Sequence, residues 1–502
     1  MIIFIYAIFL SLSLHALEDD SLRLRRNLKI ENIREHQKAL QDIADRNRGT
    51  RMATTEGYRQ SVNYVANSLR AAGYEVKLQN FELVVAQDQS PPVLSIISPT
   101  RYSFVADKDI ASMSFSGTKE ISAFVEAIDL VIPSPKPNTS TSGCEEEDFK
   151  DFTPGNIALI QRGSCSFARK VELAQSARAS GVIIFNEGCE DRTELISSRL
   201  ESASANFPVL GASFAVGQQL RNSKLNGLTG IKALVKIDIT NSANTVQNII
   251  AETALGDNNR VIAVGAHLDS VWAGPGINDN ASGSATILEV AELIASLNIT
   301  PKNKIRFLWF GAEEFGLVGS EHYVGSLSYA EKNRILAMLN FDMLGSPNYV
   351  RFVYDGDNSG RNEESVSPSG SGLIEKIFLD YFTQLNMPTE PTAFNGRSDY
   401  GPFIKAGIPA GGLFSGAEGI KNSRLQQIYG GTAGVAFDPC YHRSCDNFRG
   451  TENLALKSLD ELSQAAAHAV GILAQTDQDL RTAQSLPIVT SEWEYRGPLL
   501  VR

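Results

Sequence analysis

Three apolar runs of strand length in the second half of the chain each stop within a few residues of a histidine or an acid. Val261 to Ala266 runs into His267-Leu268-Asp269, Lys304 to Phe310 precedes Glu313-Glu314, and Ile335 to Phe341 meets Asp342. Between them lie segments with apolar residues three and four apart, at Gly283 to Leu297 and Glu313 to Val324, which predict helices. Strand, loop and helix in repeated alternation call for an α/β fold with a mixed, mostly parallel central sheet between helices. Such sheets carry their chemistry outside the carboxyl ends of the strands. The polar residues cluster there.

Those residues suit a two-metal hydrolytic centre. Zinc takes imidazole nitrogen and carboxylate oxygen and leaves a position for water. Two zinc ions about 3.5–4 Å apart are well served by one bridging carboxylate, with a histidine and a further acid on each. The chain supplies His267, Asp279, Glu314, Asp342 and His442. Asp269 lies two residues beyond His267, on the same side if the strand continues, and is placed to orient its imidazole. Glu313 and Glu314, at the start of the expected helix, would diverge by about 100°. Glu314 can then ligate while Glu313 acts as general base. Tyr441 is placed to donate a hydrogen bond to a developing oxyanion. Each feature alone has an ordinary structural reading: paired glutamates complement a helix dipole, and a His-x-Asp is often a packed pair. Five such features in this order and setting do not. His36, His322 and His468 lie on expected helices without a comparable setting and are read as structural or solvated.

The remainder bounds the surroundings. A net charge of −11 argues against nucleic acid and anionic membranes as partners. Met1 to Leu14 is mostly apolar and too short for a comfortable membrane span, so residues 1–16 are read as a secretory signal peptide cleaved near Ala16. No later segment is apolar enough to span a bilayer. Five cysteines fit an oxidising compartment. Cys440 and Cys445 bracket Tyr441-His442, and Cys144 and Cys165 flank a strand-like run, so each pair can close a bridge; spacing alone leaves the connectivity open. Of the sequons at Asn138, Asn280 and Asn298, only Asn138 lies in a loop suited to a glycan. Tyr74 to Leu83 alternates like a half-exposed strand, and residues 118–238 form a module of short apolar strands with one amphipathic helix, Phe167 to Ala179.

Six stretches closely resemble the secreted double-zinc aminopeptidases, the family of bacterial leucyl aminopeptidase and fungal aminopeptidase Y. They are Gly265-Ala266-His267-Leu268-Asp269-Ser270, Asn278-Asp279-Asn280-Ala281-Ser282-Gly283, Ala312-Glu313-Glu314-Phe315-Gly316-Leu317, Asn340-Phe341-Asp342-Met343, Gly396-Arg397-Ser398-Asp399-Tyr400 and Cys440-Tyr441-His442-Arg443-Ser444-Cys445-Asp446. Gly49-Thr50-Arg51 is similar to a further family segment. The run from Gly155 to Gly163, with Cys165, Phe167, Lys170 and Gly181 to Asn186, looks like a protease-associated domain, a module expected to shape access or bind partners. The implied layout is residues 17–110 as the N-terminal part of the peptidase, 118–238 as the insert, 245–478 as the catalytic part and 479–502 as a tail.

The resemblance implies one zinc on His267, Asp279 and Asp342 and another on Glu314, Asp279 and His442, with Asp279 bridging. It makes Glu313 the base and Tyr441 the oxyanion donor, has Arg397 hold substrate, and has a Cys440–Cys445 bridge fix the Tyr-His pair. The activity it implies is release of N-terminal residues, large apolar ones such as leucine preferred, from peptides with a free N-terminus. The enzyme would be a monomer that is secreted, vacuolar or periplasmic. A glutamate carboxypeptidase would need an arginine cluster, and none is evident beyond Arg397. A glutaminyl cyclase would leave ligands idle. A receptor-like ectodomain on this fold would have lost some.

Overall fold

A ribbon of two long antiparallel strands, Glu75–Ser98 and Gly227–Glu252, ties the molecule together. Its register runs from Glu75 opposite Glu252 to Ser98 opposite Lys232. The computed structural model describes residues 19–482 apart from 136–138, 190–191, 197–204, 361–366 and 450–452. The leader, Asn138 and most of the tail lie outside the described residues.

One end of the ribbon joins the catalytic sheet. Gly227–Glu252 pairs antiparallel with Asn303–Phe310, followed by Asp257–His267, Ile335–Phe341 and Ala410–Phe414, all parallel to one another. Phe352–Tyr354 and Glu390–Thr392 complete the far edge. Helices cover both faces, so the central strands are buried front and back and read as unbroken apolar runs rather than alternating ones. Every residue of Ile335–Phe341 is buried. Ile30–Arg46, Glu56–Ala71, Ala281–Ser296 and Leu456–Gln475 pack into one large core on one face. Val318–Ser326 and Tyr400–Lys405 pack on the other.

The opposite end of the ribbon pairs with Lys119–Ile128, which leads a smaller sheet through Ile157–Gln161, Gly181–Phe185 and Val209–Ala212 to Ile110–Ser112. This module has its own apolar clusters. The alternation that predicts a strand over Tyr74 to Leu83 marks only its first half. Between Leu83 and Leu94 pairing continues although alternation fails, because the partner strand supplies the hydrogen bonds while the ribbon passes from one core to the other.

The expected helix from Glu313 begins instead at Val318. Residues 312–317 form a tight turn in which Ala312, Gly316 and Leu317 take positive φ, and the Gly316 and Leu317 N–H groups donate to the Glu313 carbonyl. That conformation cannot propagate a right-handed helix.

Candidate active site

Sheet ends and loops deliver the predicted residues to one place. His267 is the last residue of its strand, and Asp342 follows Phe341 directly. Asp279 arrives on the loop before Ala281–Ser296, whose first turn lies against the end of the Ile335–Phe341 strand. A Cβ on Gly283 would sit 2.0 Å from the Phe341 carbonyl oxygen, so only glycine permits this approach. The two asparagines beside Asp279 knit its loop to its surroundings. Asn278 Nδ2 donates to Ser346 Oγ (3.0 Å) and Asp438 Oδ2 (2.6 Å), and Asn280 Nδ2 donates to the Phe341 carbonyl (2.9 Å). His442 sits in a loop closed by the Cys440–Cys445 disulfide, and Cys144 is joined to Cys165 in the module.

Asp279 stands between the two imidazoles. Its Oδ1 is 3.2 Å from His267 Nε2 and its Oδ2 is 3.1 Å from His442 Nε2. His267 Nε2 also faces Asp342 Oδ1 at 3.3 Å, and His442 Nε2 faces Glu314 Oε2 at 3.1 Å. Glu313 Oε2 is 3.9 Å from His267 Nε2. All these residues are buried or nearly so.

The spacing fits cations better than hydrogen bonds. One ring N–H cannot serve two carboxylates at once, and His267 Nε2 and Asp342 Oδ1 make no contact of hydrogen-bond geometry. Donors on a tetrahedron with bonds of about 2.0–2.1 Å lie about 3.3–3.4 Å apart. The separations here match that edge. His267 Nδ1 lies 3.2 Å from the Asp269 carbonyl oxygen, which only accepts. The proton of the neutral ring therefore resides on Nδ1, and Nε2 presents its lone pair to the acids.

The electrostatics agree. Burial pushes Glu313 well above the usual carboxylate range, opposed by His267 and reinforced by Glu314, Asp399 and Asp342. Burial also lifts Glu314 to about 7. Burial would lower His267, but Asp342, Glu313, Asp269 and Asp279 hold it well above its ordinary value, and His442 is likewise raised to about 10. Burial would raise Asp279, yet the two histidines pull it down. The group as a whole draws positive charge.

Two known families match this chain: Peptidase family M28 over residues 248–470 and the PA domain over residues 127–220. An aminopeptidase of Pseudomonas aeruginosa is 44% identical over 455 residues, covering 90% of this chain and 82% of the relative. The chain belongs to peptidase family M28. A probable leucine aminopeptidase 2 of Aspergillus oryzae is 36% identical over 89% of this M28 chain and 85% of its own length. Among solved structures, an aminopeptidase from Aneurinibacillus sp. strain AM-1 superposes with a TM-score of 0.68 at 25% identity, covering 93% of this chain and 99% of that one.

Within the M28 site, Asp269 lies beside the His267 imidazole, though not by the route the strand pleat predicts. The strand ends at His267, so Asp269 does not follow its pleat. It faces the imidazole Nδ1 with its carbonyl oxygen at 3.2 Å and its carboxylate at 3.8 Å, and the carboxylate also accepts the Glu313 N–H at 3.2 Å. Tyr441 and Arg397 both line the cleft. The Tyr441 ring stacks on His442 with centroids 3.8 Å apart, and Arg397 Nη1 donates to Glu418 Oε1 at 2.6 Å.

Several residues inside the quoted motifs have roles that the sequence reading did not assign. Ser398 Oγ donates to Asp342 Oδ2 at 2.6 Å and accepts from Asn340 Nδ2 at 2.8 Å. Asp446 accepts the N–H groups of Asn278 (2.7 Å) and Asp279 (3.0 Å). Arg51, fully buried, donates to the carbonyls of Pro275 and Gly276 at 2.8 Å and to that of Leu268, holding the loop between His267 and Asp279. The signal for all three was motif membership. Their targets, main-chain groups and the Asp342 carboxylate, are visible only in three dimensions.

Proposed function

We propose that this M28 peptidase is a secreted, zinc-dependent aminopeptidase that releases N-terminal residues, large apolar ones preferred. The observation that carries the reading is Asp279 presenting one oxygen to each imidazole at 3.2 and 3.1 Å. His267, Asp279 and Asp342 would hold one zinc, and Glu314, Asp279 and His442 the other. When bound, the pair supplies Lewis acidity, lowering the pKa of water and polarising the scissile carbonyl.

The chain's own residues perform the rest. Glu313 begins as the carboxylate, its proton affinity raised by burial, takes the proton of the attacking water and passes it to the leaving amine. The Tyr441 hydroxyl donates to the oxygen on which negative charge develops. Glu313 and Asp342 hold the substrate's α-ammonium. The cleft is lined by Asp279, Glu313 and Asp342 against a single arginine, Arg397, whose charge Glu418 already offsets. Among the described lining residues a C-terminal carboxylate would find no arginine cluster, only Arg397 already paired with Glu418, which favours an aminopeptidase over a glutamate carboxypeptidase. Met343, Tyr354, Phe414 and Ala417 offer apolar surface to the first side chain, and Arg397 stands where it can position the chain beyond. Two disulfides suit an oxidising compartment, and among the described residues no helix is long and apolar enough to cross a membrane.

The test compares leucyl, acetyl-leucyl and C-terminal glutamyl reporter peptides before and after chelation and zinc return. Only the leucyl reporter is expected to be cleaved, with activity lost on chelation and restored by zinc. Cleavage of the acetylated or glutamyl peptide, with none of the free-amine one, would reject the proposal.

A further inference from the structure

His36, Glu289 and Glu292 converge away from the catalytic cleft. His36 lies on Ile30–Arg46, and the glutamates stand one turn apart on Ala281–Ser296, the helix that follows Asp279. His36 Nε2 is 3.7 Å from Glu289 Oε2 and 3.6 Å from Glu292 Oε2, and the three candidate donor atoms lie within 4.8 Å of one another. Both contacts exceed hydrogen-bond reach. An imidazolium with one buried carboxylate partner closes to about 2.7–2.9 Å. Here the ring is poised between two.

From this geometry we propose a further zinc-class cation site, made of His36, Glu289 and Glu292, that clips the N-terminal helices to the helix behind Asp279.

Both flanks of the cluster are fixed in the manner such a site requires. His36 Nδ1 lies 2.7 Å from the Tyr64 hydroxyl oxygen, which can accept its proton and leave the Nε2 lone pair facing the acids. Asn32 Nδ2 donates to Glu289 Oε1 at 2.8 Å, which turns Oε2 toward His36. Charge points the same way. Two carboxylates beside a neutral imidazole are balanced by a divalent ion, whereas a proton leaves one negative charge shared between Glu289, 3% exposed, and Glu292, whose side chain is 33% exposed. Mixed nitrogen and oxygen donors select zinc-like ions over calcium or magnesium. The Glu292 side chain, 33% exposed, provides the route from solvent and room for a water as fourth ligand. The ion would brace the helix from behind and take no part in chemistry.

The test uses the full mature protein equilibrated with micromolar zinc, alone and beside excess calcium. Elemental analysis compares it with Glu292→Gln and His36→Gln. Each variant is expected to carry one zinc fewer per chain, to cleave the leucyl reporter unchanged, and to gain less thermal stability from added zinc. Because the readout is a difference from the parent, it does not depend on how many ions the catalytic cleft holds. Equal zinc content in the parent and Glu292→Gln would overturn the proposal and leave a proton as the cation at this point. Replacement of the additional zinc by calcium would overturn the zinc-class assignment. Glu292→Gln alters a partly exposed side chain, so the result does not hinge on a buried substitution folding.

Discussion

Glu313 and Glu314 are neighbours in the chain but face different imidazoles: Glu313 lies 3.9 Å from His267 Nε2, and Glu314 lies 3.1 Å from His442 Nε2. In the proposed reading, identical chemistry in adjacent positions is thereby split into a proton carrier and a ligand. Glu313→Gln keeps the shape but cannot accept a proton, so kcat should fall by about 10²–10⁴-fold with zinc content unchanged. Steady-state kinetics paired with metal analysis checks this, and a variant retaining parental kcat would remove Glu313 from the proton path. At this scale the sequence was legible wherever side-chain identity dictates the chemistry. The histidines and acids that meet at Asp279 could be picked out because imidazole and carboxylate are what zinc takes. Arg51, Ser398 and Asp446 were illegible in role because they act on main-chain groups or on the Asp342 carboxylate. A single sequence does not show which carbonyl lacks a partner.

Elements were legible where packing and periodicity agree. The strands ending at His267 and Phe341 are buried on both faces, and their apolar runs announce it. The Glu313 segment was not, since Phe315 and Leu317 continue a helical spacing through a turn set by positive φ at Ala312, Gly316 and Leu317. Nor was the approach of Ala281–Ser296 to the sheet, which depends on a missing Cβ. In Gly283→Ala that Cβ would fall 2.0 Å from the Phe341 carbonyl oxygen and 2.6 Å from Asn280 Oδ1, displacing the helix from the strand. The expected cost is about 1–3 kcal/mol, as for other overpacked sites. Because Asp279 and Asp342 ride on the two parted elements, zinc should also be released at lower chelator concentration. Thermal unfolding and chelator competition read these separately. A destabilised variant with parental zinc affinity would show that the helix end does not set the spacing of the two acids.

The whole molecule divides where the ribbon is barest. The peptidase core draws on Leu83 and Val246 but on nothing between them in the module, while the module packs Leu94, Val125, Ile183 and Val235 into its own cluster. Between the cores, residues 87–89 and 240–243 are exposed, so little apolar contact couples the two halves. Units with separate cores and a solvated connection unfold separately. Calorimetry should therefore resolve two transitions. The Cys144–Cys165 disulfide, with a sequence separation of 21, lies wholly within the module. By loop-closure entropy its removal costs about 3 kcal/mol. In a Cys144→Ala, Cys165→Ala variant the module's transition should fall and the peptidase's should stay, with leucyl-reporter hydrolysis persisting between the two. A single transition that shifts as a whole would mean that the ribbon transmits stability from one core to the other, and the insert would then be part of the peptidase's folding unit.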